Sequence, residues 1–475
     1  MPDLPERIHF LGIHGRMVGG LALALKELGV KVSGTDPVGF PPMPGILERA
    51  GIKVTPHGQN GRLPSHVNAV VTGSMVNRGE PLLESALKRG LPVWNAAAFL
   101  QHHFLRATDN LVVAGTKGKT STTAMLLWIL LAAGKPPSFL LGGGIRGREQ
   151  RVSLSRSKVF VLEGDEYPCG LGDPLPKFLR YHPRHLGLTT LQQDHLEVYP
   201  TPDAYRQAFV HLVHQVPGNG SITINTDDPG VATLAGLTPT PITSVGFAKG
   251  ADIRIEEFHE TASGITFRLG TVPFALSLPG KMNARNAALA TVMAQHAGVT
   301  PKKAAQALRT FPGVEGRLDL VAQGMRSRIY TDEAYHPLAL RATLDALRSR
   351  HPSRRIVLLF EPRYTGGARG PWIQALPGSV AASANLVIAS PPVELHSYAR
   401  PFSTTGFCRR LRTLGVQAVA APSLPAMEAS IRRWCQPGDV VVISFSMIRQ
   451  DETAHLTRVL REVLEIRDEH GTLPT

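Results

Sequence analysis

Residues 114–122 read AGTKGKTST, between the apolar run LVV (111–113) and the apolar stretch AMLLWILLAAG (124–134). A strand, a glycine loop with G-K-T and a helix, in that order, form a phosphate cradle. Small residues let backbone N–H groups converge on the oxygens, and the helix N-terminus adds partial positive charge. Lys119 is placed to neutralise β- and γ-phosphate charge, and the Thr120 hydroxyl can ligate magnesium. Val113 stands where the full G-x-x-x-x-G-K-[ST] loop begins with glycine, so the loop is a short form. The competing reading is a glycine-rich turn with an incidental lysine. A nucleoside triphosphate also needs a metal carboxylate at a neighbouring strand end. KVFVLEGDEY (158–167) ends an apolar strand in Glu163, Asp165 and Glu166. Alone, such a cluster reads as a solvated loop; after a G-K-T loop it reads as the metal side of the site. Asp194-His195 follows a further strand, HLGLTTL (185–191), and puts an imidazole at another strand end of the same unit, where a lone histidine is otherwise structural.

The elements that must position these residues repeat as strand, glycine turn, helix. The chain opens RIHFLGIHGRMVGGLALALKELGVKVSGTD, a strand, a glycine-rich turn, an amphipathic helix and a second strand ending at Asp36. Short strands follow at 68–74 and 91–95. A second start is the phosphate loop itself. A third is SRRIVLLFEPR (353–363), followed by apolar runs at 385–390, 417–422 and 439–446. The fold class expected is α/β, in three units: 1–108, 109–312 and 313–475. No internal repeat or low-complexity segment interrupts this order, and the prolines punctuate loops.

Composition narrows the function. The chain has 475 residues, 43% of them hydrophobic and 19% charged, with a formal net charge of +14. No apolar run approaches the roughly 20 residues needed to span a bilayer. The N-terminal stretch lacks signal-peptide architecture, so a cytoplasmic protein with no membrane role is expected. The positive charge favours anionic partners, but it is spread along the chain without a basic tract or interleaved aromatics, which argues against nucleic acid. Cys169, Cys408 and Cys435 are too few and scattered for a disulfide framework or zinc site, and read as reduced thiols. The first turn, Gly12, Gly15 and Gly19, is G-x-x-G-x-x-x-G and not the dinucleotide G-x-G-x-x-G, which argues against a nicotinamide enzyme.

The short loop G-T-x-G-K-T, the following E-x-D-E, the D-H, the N-x-x-N of PGKMNARNAALA and the G-R-L of GVEGRLDL resemble, in this order, the Mur ligase family. The resemblance covers nearly the whole chain. It implies three domains: a Rossmann-like domain for a UDP-sugar, a central ATP-binding domain, and a Rossmann-like C-terminal domain for the acceptor. It implies an ATP-dependent amide-bond-forming enzyme of peptidoglycan synthesis and recycling, a monomer or weak homodimer. HFLGIHGRMVGGLA, the stretch from DEYPCG to DHLEVY and EPRYTGG are most similar to the branch that joins UDP-N-acetylmuramate to L-alanyl-γ-D-glutamyl-meso-diaminopimelate; the sister branch uses L-alanine. Gly12, Gly15 and Gly19 would accept the UDP diphosphate, with Asp36, Gly73 and Ser74 near the nucleoside and sugar. Gly115, Thr116, Gly118, Lys119, Thr120 and Ser121 would bind ATP phosphates, and Asn283 and Asn286 the nucleotide. Two magnesium ions are implied, with Thr120, Glu163 and His195 as ligands. Arg317 and Asp332 would reach the phosphates, and His336 belongs to the family's D-x-x-x-H-P context.

The chain departs from the family pattern at Lys117, Gly164, Gln192, Gln193, Met282, Thr331 and Tyr335, and at ISFSMIRQ (443–450), where relatives carry an asparagine-glycine-glycine stretch. Three readings follow: an active ligase of the recycling type, a ligase with a changed acceptor, and a non-catalytic nucleotide-binding paralogue. Lys119, Thr120 and Glu163 standing together favour an active enzyme, since nothing in packing requires the three at once.

Overall fold

The computed structural model describes residues 4–37, 39, 42–56, 63–261, 263–362, 374–392, 402–445 and 449–466. Residues 446–448 of the 443–450 segment and 363–367 of EPRYTGG lie outside them. Among the described residues three main sheets follow one another along the chain. The first is parallel, in the order Lys53–Thr55, Lys31–Thr35, Arg7–Leu11, Ala69–Thr72, Val93–Asn95. Ten strands make the second, with Asp109–Ala114 between His185–Leu188 and Val159–Glu163 at its centre. The third runs Asp319–Gln323, Arg328–Asp332, Val440–Ser444, Ile356–Phe360, Leu386–Ala389, Gln417–Ala420.

Central strands such as Ile356–Phe360 and Val440–Ser444 are buried at every position, which is why they read as continuous apolar runs. The sequence did not announce two parts of the fold. One is the antiparallel extension of the second sheet, Ile253–Thr261, Gly264–Leu269 and Val272–Leu276. The other is the hairpin of Asp319–Gln323 with Arg328–Asp332, which starts the third sheet before the apolar run at 356. Both carry mixed exposed and buried positions and no long apolar stretch.

The helix Lys119–Ala132 is apolar on nearly every side and correspondingly buried from Thr122 to Leu127. It packs against Lys281–His296, whose Ala284, Ala287, Ala288 and Ala290 are buried. Short side chains let the two axes approach closely, and that approach brings the start of one helix beside the start of the other. The first unit docks on the second where the helix Arg16–Glu27 meets the strand Val152–Ser153; a Cβ on Gly20 would run into Val152.

The three cysteines are free and buried, and burial pushes the thiols of Cys169 and Cys435 up to about 12. His185 and His296 stack with ring centroids 4.1 Å apart, and both contact Ser221 Oγ at 2.8 Å. Burial, then the neighbouring His296, lowers His185 from 6.5 to about 4. The folded protein therefore disfavours the proton that the unfolded chain accepts. This contribution to stability is complete above pH 6.5 and is lost as pH falls toward 4. A His185→Gln variant is expected to show a shallower fall of melting temperature across that window than the wild type. Parallel melting curves would remove the stacked pair as the cause.

Candidate active site

The phosphate loop leaves the strand Asp109–Ala114 and is fastened to the neighbouring strand end. Thr116 N donates to Thr190 O at 2.7 Å and Lys117 N to Thr190 Oγ1 at 2.8 Å. Gly118, at φ +91°, then starts the helix with no side-chain cap and no acidic residue in the first turn. A Cβ there would lie 2.8 Å from Asn286 Oδ1. An uncapped helix start with two lysines beside it suits an anion.

Lys119 folds back over its own loop. Its Nζ lies 2.5 Å from Gly115 O and 2.8 Å from Glu166 Oε2. Lys117 points to the other side, with Nζ 2.7 Å from Asp194 Oδ2. Asp194 and Glu166 side chains are only 1% and 2% exposed, so each ammonium sits on a buried carboxylate. Burial alone would raise both carboxyls, but Lys117 and His195 hold Asp194 below the usual carboxylate range, and Lys119 and His195 do so for Glu166.

Thr120 Oγ1 donates to Glu163 Oε1 at 2.6 Å, and Gly142 N donates to Glu163 Oε2 at 2.7 Å. A hydroxyl and a carboxylate at the foot of a phosphate loop fit magnesium, which takes one or two protein oxygens and completes its shell with phosphate and water. His195, expected as a second ligand, is engaged otherwise. Its Nε2 is 3.1 Å from Glu166 Oε1, and Tyr167, whose ring lies 4.2 Å away, donates to Glu197. Burial favours the neutral ring, yet Glu166, Glu197 and Asp194 together hold it well above the ordinary imidazole range. His195 thus sits among carboxylates at the edge of the phosphate loop, with Nε2 on Glu166 and Nδ1 3.7 Å from Glu197. Among the described residues no three His, Cys, Asp or Glu side chains gather as a metal cage.

The third unit faces this loop across a cleft of about 870 Å³ lined by Lys117, Lys119, Glu163, His195, Arg317 and Asp332 among others. Arg317 Nη1 lies 3.1 Å from Glu333 Oε2. Arg16, from the first unit, reaches the same Glu333 at 3.5 Å and donates to Gly142 O at 3.0 Å. Asp332 lines the cleft while accepting from Leu318 N, Ala334 N and Thr343 Oγ1 of its own unit. Burial lifts it to about 6 against the pull of Arg317. His336 caps the helix Pro337–Arg350, accepting from Leu338 N at 3.3 Å; burial, then Lys117, brings it down to about 4. Asn283 holds Pro279 O at 2.8 Å, and Asn286 Nδ2 reaches Asn283 Oδ1 at 3.4 Å. Behind Asn286 a second hollow of about 270 Å³ runs past Asn225, Asp227 and Arg285.

In the first unit, Gly12 N bonds to Thr35 O and Gly73 N to Leu11 O, which sets the two glycine turns side by side at the strand ends. Asp36 accepts from His14 N at 2.8 Å beside them. Gly19 lies a turn inside the helix Arg16–Glu27, where a Cβ would run into Met43 and the Ile13 carbonyl. Sequence reasoning assigned no role to Arg16, Gly142, Glu333 or Tyr335. Glu166 was visible in the E-x-D-E cluster; a lone glutamate or tyrosine in TDEAYHP carries no comparable signal.

The family models match in the same order. Residues 7–108 match the model described as Mur ligase family, catalytic domain, and residues 113–294 the Mur ligase middle domain. A ligase of Escherichia coli K12, UDP-N-acetylmuramate–L-alanyl-γ-D-glutamyl-meso-2,6-diaminoheptandioate ligase, is 35% identical over 370 residues, 75% of this chain and 79% of its own length. The chain belongs to the Mur ligase family. Within it, a UDP-N-acetylmuramate–L-alanine ligase of Arthrobacter sp. FB24 is 33% identical over 75% of both chains. The crystal structure of a murein peptide ligase from Psychrobacter arcticus 273-4 superposes with a TM-score of 0.71 at 27% identity, covering 98% of this chain and all of that one. The three successive sheets are thus the Mur ligase architecture.

For this Mur ligase, Glu163→Gln keeps the shape and the contacts with Thr120 and Gly142 but removes the anionic charge. With magnesium seated at Thr120 and Glu163, as proposed below, the magnesium needed for half-maximal phosphate release is expected to rise about tenfold or more, with the melting temperature little changed. An unaltered magnesium dependence would remove Glu163 from the metal site.

Proposed function

We propose that this protein joins the lactyl carboxylate of UDP-N-acetylmuramate to the free amine of L-alanyl-γ-D-glutamyl-meso-diaminopimelate, at the expense of ATP, in the cytoplasm. The reading divides the chain into a UDP-sugar unit (1–108), an ATP unit (109–312) and an acceptor unit (313–475). The observation that carries it is the cleft lined by Lys117, Lys119 and Glu163 on the phosphate-loop side and by Arg317 of the third unit. The 35% identity to the E. coli ligase, which is named for that tripeptide, supports the choice of acceptor.

The carboxylate attacks the γ-phosphorus of ATP, ADP leaves, and an acyl phosphate forms. The amine then attacks the acyl carbonyl, inorganic phosphate leaves, and a proton is released. A carboxylate approaching a triphosphate is repelled, so the work is positioning and charge screening. Lys119 and Lys117 supply cations from the loop side and Arg317 from the facing side. Magnesium at Thr120 and Glu163 would neutralise phosphate charge. Closure of the third unit over the loop keeps water from the acyl phosphate. Asn283 and Asn286, at the start of the helix beside Gly118, would contact the nucleoside.

The 33% identity to an L-alanine ligase favours a second reading, with L-alanine as the acceptor. Phosphate release from ATP and magnesium decides between them, measured with UDP-N-acetylmuramate and either the tripeptide or L-alanine. Release that needs the tripeptide supports the first reading and release with L-alanine the second. ATP binding without release under either pairing would overturn both.

A further inference from the structure

Lys117 is the variable residue of G-T-x-G-K-T, and its surroundings come from two units. Its backbone is fixed, since Lys117 N donates to Thr190 Oγ1 and Thr190 Oγ1 returns a bond to Lys117 O at 3.2 Å. Only the side chain is left to move. Its ammonium sits 2.7 Å from the buried Asp194 and 4.6 Å from the ring centroid of Tyr335, which belongs to the third unit. Tyr335 OH also reaches Asp194 Oδ2, at 3.3 Å. The ammonium is therefore held between a carboxylate below and an aromatic face above, a cation–π contact. Removing the ring would leave the ammonium on Asp194 without the face that closes over it, while its attachment to the loop stayed intact.

We infer that Tyr335 is a positioning residue for Lys117: docking of the third unit aims a second loop ammonium at the phosphoryl group being transferred. Lys119 is fixed wholly by groups of its own unit, Gly115, Thr116 and Glu166, whereas Lys117 has Asp194 of its own unit on one side and the Tyr335 ring of the third unit on the other. Lys117 is clamped from both sides, by Asp194 and an aromatic face, only when the Tyr335 ring has arrived. Phosphoryl transfer is thereby tied to closure, at the stage when an acyl phosphate would otherwise meet water. The inference rests on the ligase reading proposed above.

A double-mutant cycle on purified full-length protein tests it. Tyr335→Leu is expected to lower kcat about tenfold and to leave the KM for ATP within about twofold, since the loop itself is untouched. Tyr335→Phe keeps the ring and should lose about threefold or less. In a Lys117→Met background, Tyr335→Leu should cost less than about twofold more, because the ammonium that the ring positions is gone. An equal loss in both backgrounds would make Tyr335 a merely structural residue and overturn the inference, as would full kcat in Tyr335→Leu. Failure of the ligase reading shows separately, as a wild type without UDP-sugar-dependent turnover. The same cycle is then read on melting temperature, where strictly additive losses, showing no coupling between the ring and the ammonium, overturn it.

Discussion

Lys119→Ala is expected to lower phosphate release about a thousandfold and, at the same time, to destabilise the ligand-free protein. The first effect follows from the loss of the one loop cation held at the start of the helix Lys119–Ala132, where charge develops during transfer. The second follows from Glu166. That side chain is 2% exposed and is neutralised by Lys119 at 2.8 Å and His195 at 3.1 Å. Removing one partner of a buried ion pair costs about 3–5 kcal/mol when the charge left behind has no other neighbour. His195 remains, so the lower end, about 3 kcal/mol, is expected. A loss of activity in Lys119→Ala alone would thus mix chemistry with folding. The second substitution Glu166→Gln separates them: Lys119→Ala with Glu166→Gln should recover most of the melting temperature and none of the turnover. Recovery of turnover along with stability would mean that Lys119 does no more than neutralise Glu166.

The parts of this site that could be read from the sequence are those in which local chain geometry and chemistry coincide. The loop 114–122, the carboxylate at the end of Val159–Glu163 and the paired asparagines of Lys281–His296 each lie on one element, at a strand end or helix start. The three-unit α/β order was legible for the same reason: parallel strands buried on both faces give continuous apolar runs. The contacts across the cleft were not legible. Arg16, Glu333 and Arg317 come from three places in the chain, and nothing near any of them in sequence marks its partner. His195 shows the limit from the other side. Its position at a strand end was readable, and so was Glu197 two residues on, but its electrostatic setting depends also on Glu166, which only tertiary packing brings against it.

Gly115→Ala should abolish tight nucleotide binding through the backbone alone, without removing any charged or polar side chain. Gly115 sits at φ +134°, and a Cβ there would collide with Thr189 Oγ1 and come within 2.8 Å of Thr190 O and 2.9 Å of Thr190 N. Two of those atoms are backbone and cannot rotate away. The chain must shift, and the shift breaks the Thr116 N to Thr190 O bond that fastens the loop to the sheet. Gly134 provides the control. It also has positive φ, +70°, at the far end of the same helix, but a Cβ there meets nothing within 4 Å. Gly134→Ala carries only conformational strain, of order 1 kcal/mol, and should leave ATP-analogue affinity unchanged. Gly115→Ala carries the strain and the collision, and should weaken that affinity about a hundredfold, with a drop in melting temperature of about 2–4 °C per kcal/mol lost. Equal affinities in the two variants would mean that the loop tolerates a side chain at 115, and that its hold on phosphate comes from Lys119 and the helix start and not from the close seam with Thr189 and Thr190.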